Sequence, residues 1–117
     1  MQKKLNTQEV IKKTKDAIKD YSKYIKENEK LASEDIKITG TPDSDRYIAE
    51  YKSEQGFFKV QVNGSKNEVT VKATFGNNKY TAVAKDNQVD IKGVAPLHSE
   101  HWSKFNRIFD DSDEWDF

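Results

Sequence analysis

Two histidines are the residues in this chain whose types and spacing come closest to metal chemistry. His98 and His101 stand three positions apart and flank Glu100. On a helix, this spacing turns both imidazole rings toward one side, where they could share an ion. The helix of a zinc hydrolase instead spaces its ligands as His-Glu-x-x-His, and no third ligand stands at a fixed distance here. We therefore expect surface or capping histidines and no metal site.

Acidic residues gather at the end of the sequence. Residues 110–117 carry five acidic side chains and no basic one. They lack both the alternation of acidic ligands and the glycine of a calcium-binding loop. The segment is therefore predicted to be a solvated acidic tail. Trp115 and Phe117 leave a second role open, because aromatic side chains in such a tail can dock into the groove of a partner.

Acid–base catalysis would need an ionisable residue inside a pocket, often an Asp paired with a His. The acids within the strand-like region are Glu50, Glu68 and Asp90, and the alternation of apolar residues places all three on the outward face. No histidine lies between residues 35 and 93. The chain also has no cysteine, which excludes disulfides, thiolate catalysis and cysteine-based zinc sites. We predict no enzymatic activity and no cofactor.

The elements that must position these groups begin with a long amphipathic helix over residues 7 to 33. Asn6 and Glu9 match an N-terminal capping box. The apolar residues form a stripe more than about 100° wide, which is typical of a helix packed on a sheet. Dimerisation through the helix is the alternative, although Thr14 and Asn28 interrupt a coiled-coil seam. The stripe consists of Val10, Thr14, Ala17, Tyr21, Tyr24 and Leu31, with Ile11, Ile18, Ile25 and Ala32 as a second row.

From residue 35 to residue 93, the pattern changes to a two-residue alternation interrupted by turn residues. Six short strands follow one another with the loop lengths of successive hairpins, which predicts an antiparallel meander. Strict alternation indicates that one face packs on the helix while the other faces water. Tyr47 and Tyr51 share one strand face, and we interpret them as core residues beside Tyr21 and Tyr24 rather than as a binding platform.

The segment after Pro96 changes character again. Ser99 is a predicted N-cap, and Trp102, Phe105 and Ile108 follow at three-residue spacing, which predicts a short C-terminal helix. The fold class is therefore α+β, with one long N-terminal helix packed on a curled antiparallel meander sheet and a short helix at the C-terminal end. We predict a tether over residues 1–6, a single domain over residues 7–109 and the acidic tail over residues 110–117.

The charge balance favours a protein partner over nucleic acid. The net charge is zero, and the nine lysines of residues 1 to 33 alternate with five acids. Binding of nucleic acid usually needs a coherent basic face. No apolar stretch approaches the roughly 20 residues of a membrane-spanning helix. Two hairpin turns and three aromatic anchors are the predicted partner-binding residues: Asn63, Gly64, Asn77, Trp102, Trp115 and Phe117.

One long helix followed by at least four meandering strands resembles the order of the cystatin-like and NTF2-like folds. Cystatins that inhibit proteases carry a Gln-x-Val-x-Gly hairpin and a Pro-Trp hairpin. Residues 58 to 64 read Phe-Lys-Val-Gln-Val-Asn-Gly, so only Gln61 and Gly64 match the first motif, and no Pro-Trp pair exists. The sequence therefore does not predict protease inhibition.

In its order and composition, the chain resembles small cystatin-like-fold lipoproteins of Gram-positive bacteria over residues 7 to 93. Those proteins have a Lys-rich helix soon after a lipidated Cys, then a meander rich in Tyr, Val, Lys and Thr. The resemblance implies non-catalytic protein binding at the extracellular face of the membrane, with Met1 in place of the processed Cys and the lipid anchor missing from this chain. Some members are encoded on conjugative elements and look like exclusion factors, which bind a component of the conjugation machine.

Two alternatives remain open. The chain could be a cytosolic, immunity- or antitoxin-like binder whose acidic tail masks a basic toxin surface. It could also be an NTF2-like enzyme with an ionisable pair inside a cone-shaped pocket.

Overall fold

A computed structural model describes residues 2–4, 6–27, 35–54 and 56–93, together with the single positions Phe105 and Ile108. One helix packs on one face of a seven-stranded sheet whose neighbouring strands are all antiparallel. The strand order is β1-β7-β6-β5-β4-β3-β2, so β2 to β7 form a meander, and β1 and β2 are the two edges. The elements are β1 (Gln2–Lys4), α1 (Thr7–Glu27), β2 (Asp35–Thr39), β3 (Arg46–Ser53), β4 (Gly56–Asn63), β5 (Glu68–Phe75), β6 (Asn78–Lys85) and β7 (Gln88–Gly93).

Helix α1 begins where the capping pattern predicts. The backbone N–H groups of Gln8 and Glu9 donate to Asn6 Oδ1 at 3.0 and 3.4 Å, which satisfies two of the donors that a helix start leaves unpaired. Asn6 is therefore confirmed as the N-cap. The predicted apolar stripe is buried from Val10 to Tyr21, whereas Tyr24 and Ile25 are half-buried, and Leu31 and Ala32 lie outside the described residues. The buried residues of α1 are Thr7, Val10, Ile11, Thr14, Ala17, Ile18 and Tyr21.

The predicted alternation of the strands is also confirmed. In β3 to β6, buried side chains occupy every second position, because successive side chains of a strand point to opposite faces. We call the face that packs on α1 the inner face, and the opposite face the outer face. The fully or nearly fully buried residues of the inner face are Tyr47, Ala49, Tyr51, Phe58, Val60, Val62, Val69, Val71, Ala73, Tyr80, Ala82, Ala84 and Val89.

Aromatic rings fill the space between the helix and the sheet. Tyr21, Phe58 and Phe105 meet with ring centroids 5.4 to 5.9 Å apart, within the range of favourable aromatic pairs. Tyr47 and Tyr51 are buried, which confirms the interpretation of both as core residues. Burial raises the pKa of the Tyr47 hydroxyl above the ordinary tyrosine value, because the phenolate would lose its water.

The described residues of the C-terminal segment, Phe105 and Ile108, show no helix. Phe105 and Ile108 are buried in the core, as their apolar character suggests. They lie in a turn, in which the Ile108 N–H donates to the Phe105 carbonyl at 3.3 Å. A three-residue spacing fits one such turn as well as it fits a helix, which explains the difference. Ser99, Trp102 and both histidines lie outside the described residues.

Residues 2–4 belong to the predicted tether, but they form an edge strand. The register pairs Gln2 with Asp90 and Lys4 with Gln88. The edge of β7 offers unpaired backbone groups to any neighbouring segment, so this pairing needs no apolar alternation that the sequence could reveal. The outer limits of the domain and of the acidic tail stay predictions.

The start of α1 is fastened to the last hairpin. The Thr7 N–H donates to Asn87 Oδ1 at 3.1 Å, and the Asn87 N–H donates to Thr7 Oγ1 at 2.6 Å. Asp86 and Asn87 both have positive φ angles, of 55° and 61°, as a two-residue type I′ hairpin turn requires. The turn that joins β6 to β7 therefore also holds the helix over the inner face.

Candidate functional site

The outer face of the sheet is strongly basic. Among the side chains of β2 to β7 that the structure describes, eight basic residues share this face with three acidic ones. The whole chain has no net charge, so the basic charge is concentrated on one surface. The basic residues are Lys37, Arg46, Lys52, Lys59, Lys72, Lys79, Lys85 and Lys92, and the acidic residues are Glu50, Glu68 and Asp90.

The strand register aligns several of these lysines in one row across the sheet. Lys37 lies opposite Glu50, Glu50 opposite Lys59, and Lys59 opposite Lys72. Lys59 Nζ stands 3.8 Å from Glu50 Oε1, and both side chains are about two-fifths exposed. Within the described part of the chain, Lys72 has no ion pair. Like charges directly opposite each other on neighbouring strands destabilise a sheet, so the Lys59–Lys72 pair opposes folding.

An exposed aromatic ring lies beside this row. Phe57 is 43% exposed, and no other large apolar residue in the described ranges is as open to water. The register places it between Lys52 and Thr74 on the outer face. Its chain neighbour Phe58 is fully buried on the inner face. The strand therefore supplies one aromatic ring to the core and presents the next to solvent.

A cavity of about 500 Å³ is found at the same place. We call the outer residues Lys37, Glu50, Lys52, Phe57, Lys59 and Lys72 the cationic patch. The first five line the cavity, together with Ile36, Tyr51 and Phe58. A concave surface with an aromatic wall and several convergent charged groups is the usual form of a binding site.

A second cavity, of about 320 Å³, lies beside the helix. Lys12, Lys15 and Lys19 line it, but so do Asp16 and Asp43. The two acids offset most of the charge of the three lysines, and no exposed aromatic residue contributes to the lining. The cationic patch is therefore the stronger candidate.

The partner-binding residues predicted from the sequence do not come together. Asn63 and Gly64 lie at the turn between β4 and β5, whereas Asn77 lies at the turn between β5 and β6. These turns stand at opposite ends of the eight-residue strand β5, roughly 25 Å apart. Trp102, Trp115 and Phe117 lie outside the described residues, so the predicted site stays a prediction.

Sequence reasoning did not find the cationic patch. The signal was present, because a lysine recurs at outward positions of every strand from β2 to β7. Read strand by strand, each lysine is an ordinary solvated residue. Only the register shows that Lys59 faces Lys72 and that Phe57 lies beside them.

The cationic patch offers charged and aromatic side chains to a ligand. The patch contains a single acid, Glu50, which is engaged with Lys59. In the described ranges, no three His, Asp or Glu residues cluster closely enough to hold a metal ion. The described part of the chain also contains no helix that is long and apolar enough to cross a membrane.

Comparisons with protein-family models, with curated proteins and with solved structures find no match for this chain.

Proposed function

We propose that this chain is a non-catalytic protein-binding domain whose outer sheet face binds an acidic, aromatic-containing segment of another protein. One observation carries the proposal. The exposed ring of Phe57, the charge of Lys72, which has no ion pair among the described residues, and the cavity of about 500 Å³ occur together in one patch. None of the three serves the core, so a role in folding does not account for them.

Phe57 would supply most of the affinity. A Phe side chain presents about 200 Å² to water, so covering its 43% exposed fraction contributes about 2 kcal/mol. Aromatic residues in partly enclosed pockets are frequent hot spots of protein interfaces. A partner that places an aromatic or aliphatic side chain in the adjoining cavity would cover this ring.

The lysines would supply the selectivity for an acidic partner. An exposed ion pair contributes only about 0–1 kcal/mol, but several lysines on one face raise the rate of encounter and disfavour basic partners. An acid opposite Lys72 would also relieve the repulsion between Lys59 and Lys72. Binding through these residues is therefore expected to weaken as salt is added.

The composition of the patch favours a protein segment over nucleic acid. Single-stranded nucleic acid is usually bound by several aromatic rings on which successive bases stack. Phe57 is the single exposed ring of the described outer face, and Glu50 lies in the middle of the lysine row. An acidic peptide can place its carboxylates beside Lys37, Lys52 and Lys72 and avoid Glu50.

We place this activity at the extracellular face of a bacterial membrane, on the resemblance to small lipoproteins. On the same resemblance, we propose that the partner is a component of a conjugation machine. The immunity-type alternative assigns binding to the acidic tail and a basic partner instead. Because the two readings require partners of opposite charge, one binding experiment separates them.

The test uses the full chain and defined fluorescent peptides. The probe is a nine-residue peptide of Asp and Glu with one central Phe, and the matched controls replace Phe with Ala or every acid with Lys. We expect anisotropy to show binding of the acidic Phe peptide alone, about tenfold weaker at 0.5 M than at 0.05 M salt. A fluorescent single-stranded oligonucleotide tests for binding of nucleic acid.

Variants locate the binding. Phe57→Ala and Lys72→Glu should each weaken binding of the acidic peptide about tenfold, since each removes a central contact. Lys23→Glu makes the same charge change at an exposed helix position and should alter binding less than about twofold. Tighter binding of the oligonucleotide or of the basic peptide, or equal losses in all three variants, would overturn the proposal.

A further inference from the structure

We infer that the acidic tail of this chain, residues 110–117, binds the cationic patch and competes there with the partner. The inference rests on the proposed function, because it concerns the same surface. It makes the tail an internal occupant that the partner must displace.

Charge complementarity is the first argument. The tail carries five acids and no base, whereas the described outer face carries eight basic and three acidic side chains. The tail also contains Trp115 and Phe117, which match the exposed Phe57 and the cavity beside it. The tail therefore has the composition that the patch selects, an acidic segment with aromatic side chains.

The tail is long enough to reach the cationic patch. The ring of Phe105 lies 5.5 Å from the ring of Phe58, and Ile108 is hydrogen-bonded to Phe105. Phe58 stands two residues from the start of β4 at Gly56. A path around that end of the sheet to the outer face is roughly 20–25 Å long. The nine residues after Ile108 span about 30 Å when extended, which is enough to bring the tail to Phe57.

The covalent link keeps the tail at a high effective concentration near the cationic patch. A short linker holds a tethered segment at about millimolar concentration near its site. Contacts made mostly by exposed ion pairs are individually weak, so a free acidic peptide must bind better than the tail to displace it. Neutralising the tail should therefore tighten the binding of an acidic probe by about threefold to tenfold.

Paramagnetic NMR tests the placement directly. The chain has no cysteine, so Ser112→Cys creates one site for a nitroxide label. We expect the label to broaden the amide signals of Lys59 and Lys72 on the outer face. The signals of Lys19 and Lys23, on the exposed side of the helix, should stay sharp. Salt at 0.5 M should abolish the selective broadening.

A matched variant isolates the role of charge. It carries the same label and changes the five tail acids to amides, as D110N, D111N, D113N, E114Q and D116N. The amide spectrum itself reports that each labelled protein is folded. Absence of selective broadening, or the same broadening in the amide variant, would overturn the inference. Broadening that increases with protein concentration would assign the contact to the tail of a second copy and would also overturn it.

The outcomes separate the inference from the proposed function. If the acidic probe binds but the labelled tail leaves the outer face unaffected, the inference alone fails. If the labelled tail contacts the patch but the probe binds neither wild type nor the amide variant, the proposed function fails and the tail contact stands.

Discussion

The two faces of the sheet are built from the same strands and differ in almost every physical respect. On the inner face, Val60, Val71 and Ala82 lie directly opposite one another, and all three are fully buried. One residue along the same strands, Lys59 and Lys72 lie opposite each other on the outer face. The inner row stabilises the fold because it removes apolar surface from water. The outer pair destabilises the fold because its like charges repel.

This difference shows that folding stability alone explains the inner face but not the outer face. A sheet selected only for folding would place opposite charges, or threonine and aromatic side chains, at the outer positions. The outer face meets this expectation where Glu50 lies opposite Lys37 and Lys59, but not where Lys59 faces Lys72 and Phe57 stays 43% exposed. A feature that opposes folding is a better indicator of function than one that supports it.

The largest expected effect contrasts two adjacent phenylalanines. Phe58→Ala should lower the free energy of unfolding by about 3–5 kcal/mol, because it empties the centre of the aromatic cluster. Phe57→Ala removes an exposed ring and should lower it by less than about 1 kcal/mol. Urea denaturation monitored by circular dichroism measures both. Similar losses in the two variants would contradict the division of roles between the faces.

An exchange of nearly isosteric side chains gives the next effect. Val71→Thr places a hydroxyl at a fully buried position and should lower the free energy of unfolding by about 1–3 kcal/mol. Thr70→Val makes the reverse change on the outer face and should alter it by less than about 1 kcal/mol, although it loses the Thr70 donation to Glu68 Oε1. Thermal unfolding of the two variants provides the comparison. A larger loss of stability in Thr70→Val than in Val71→Thr would contradict the prediction.

The smallest effect has the opposite sign. Lys72→Glu places a carboxylate opposite Lys59 and should raise the free energy of unfolding by about 0.2–1 kcal/mol. Lys79 lies opposite Thr74, so Lys79→Glu is the matched charge reversal that lacks this gain. Chemical denaturation at low salt measures both variants. A destabilised Lys72→Glu protein would show that the lysine row serves folding and would remove the argument for the patch.

Much of the fold follows from the sequence because its signals are local. The helix start at Asn6 and the alternation in β3 to β6 depend on residues a few positions apart, and the structure confirms them. The pairing of residues 2–4 with β7 depends on partners 84 to 88 positions away. That pairing leaves no periodic trace in the sequence, so a tether was predicted in its place.

The candidate site could not be predicted for the same reason. Hairpin turns and aromatic residues are visible as single positions, so Asn63, Gly64 and Asn77 were selected one by one. The cationic patch instead depends on which residues of neighbouring strands face each other, as with Lys59 and Lys72. The alternation fixes which residues share a face, but a shift of two residues in register would keep both faces and still separate Lys59 from Lys72.

The pair of hydrogen bonds between Thr7 and Asn87 has a consequence for the order of folding. These residues are 80 positions apart, and contacts of such long range form slowly because a large loop must close first. The helix precedes its partner turn in the chain, so it is synthesised well before that turn. We expect the start of α1 to stay unsecured until the β6–β7 hairpin has formed, so an element synthesised early is fixed in place late.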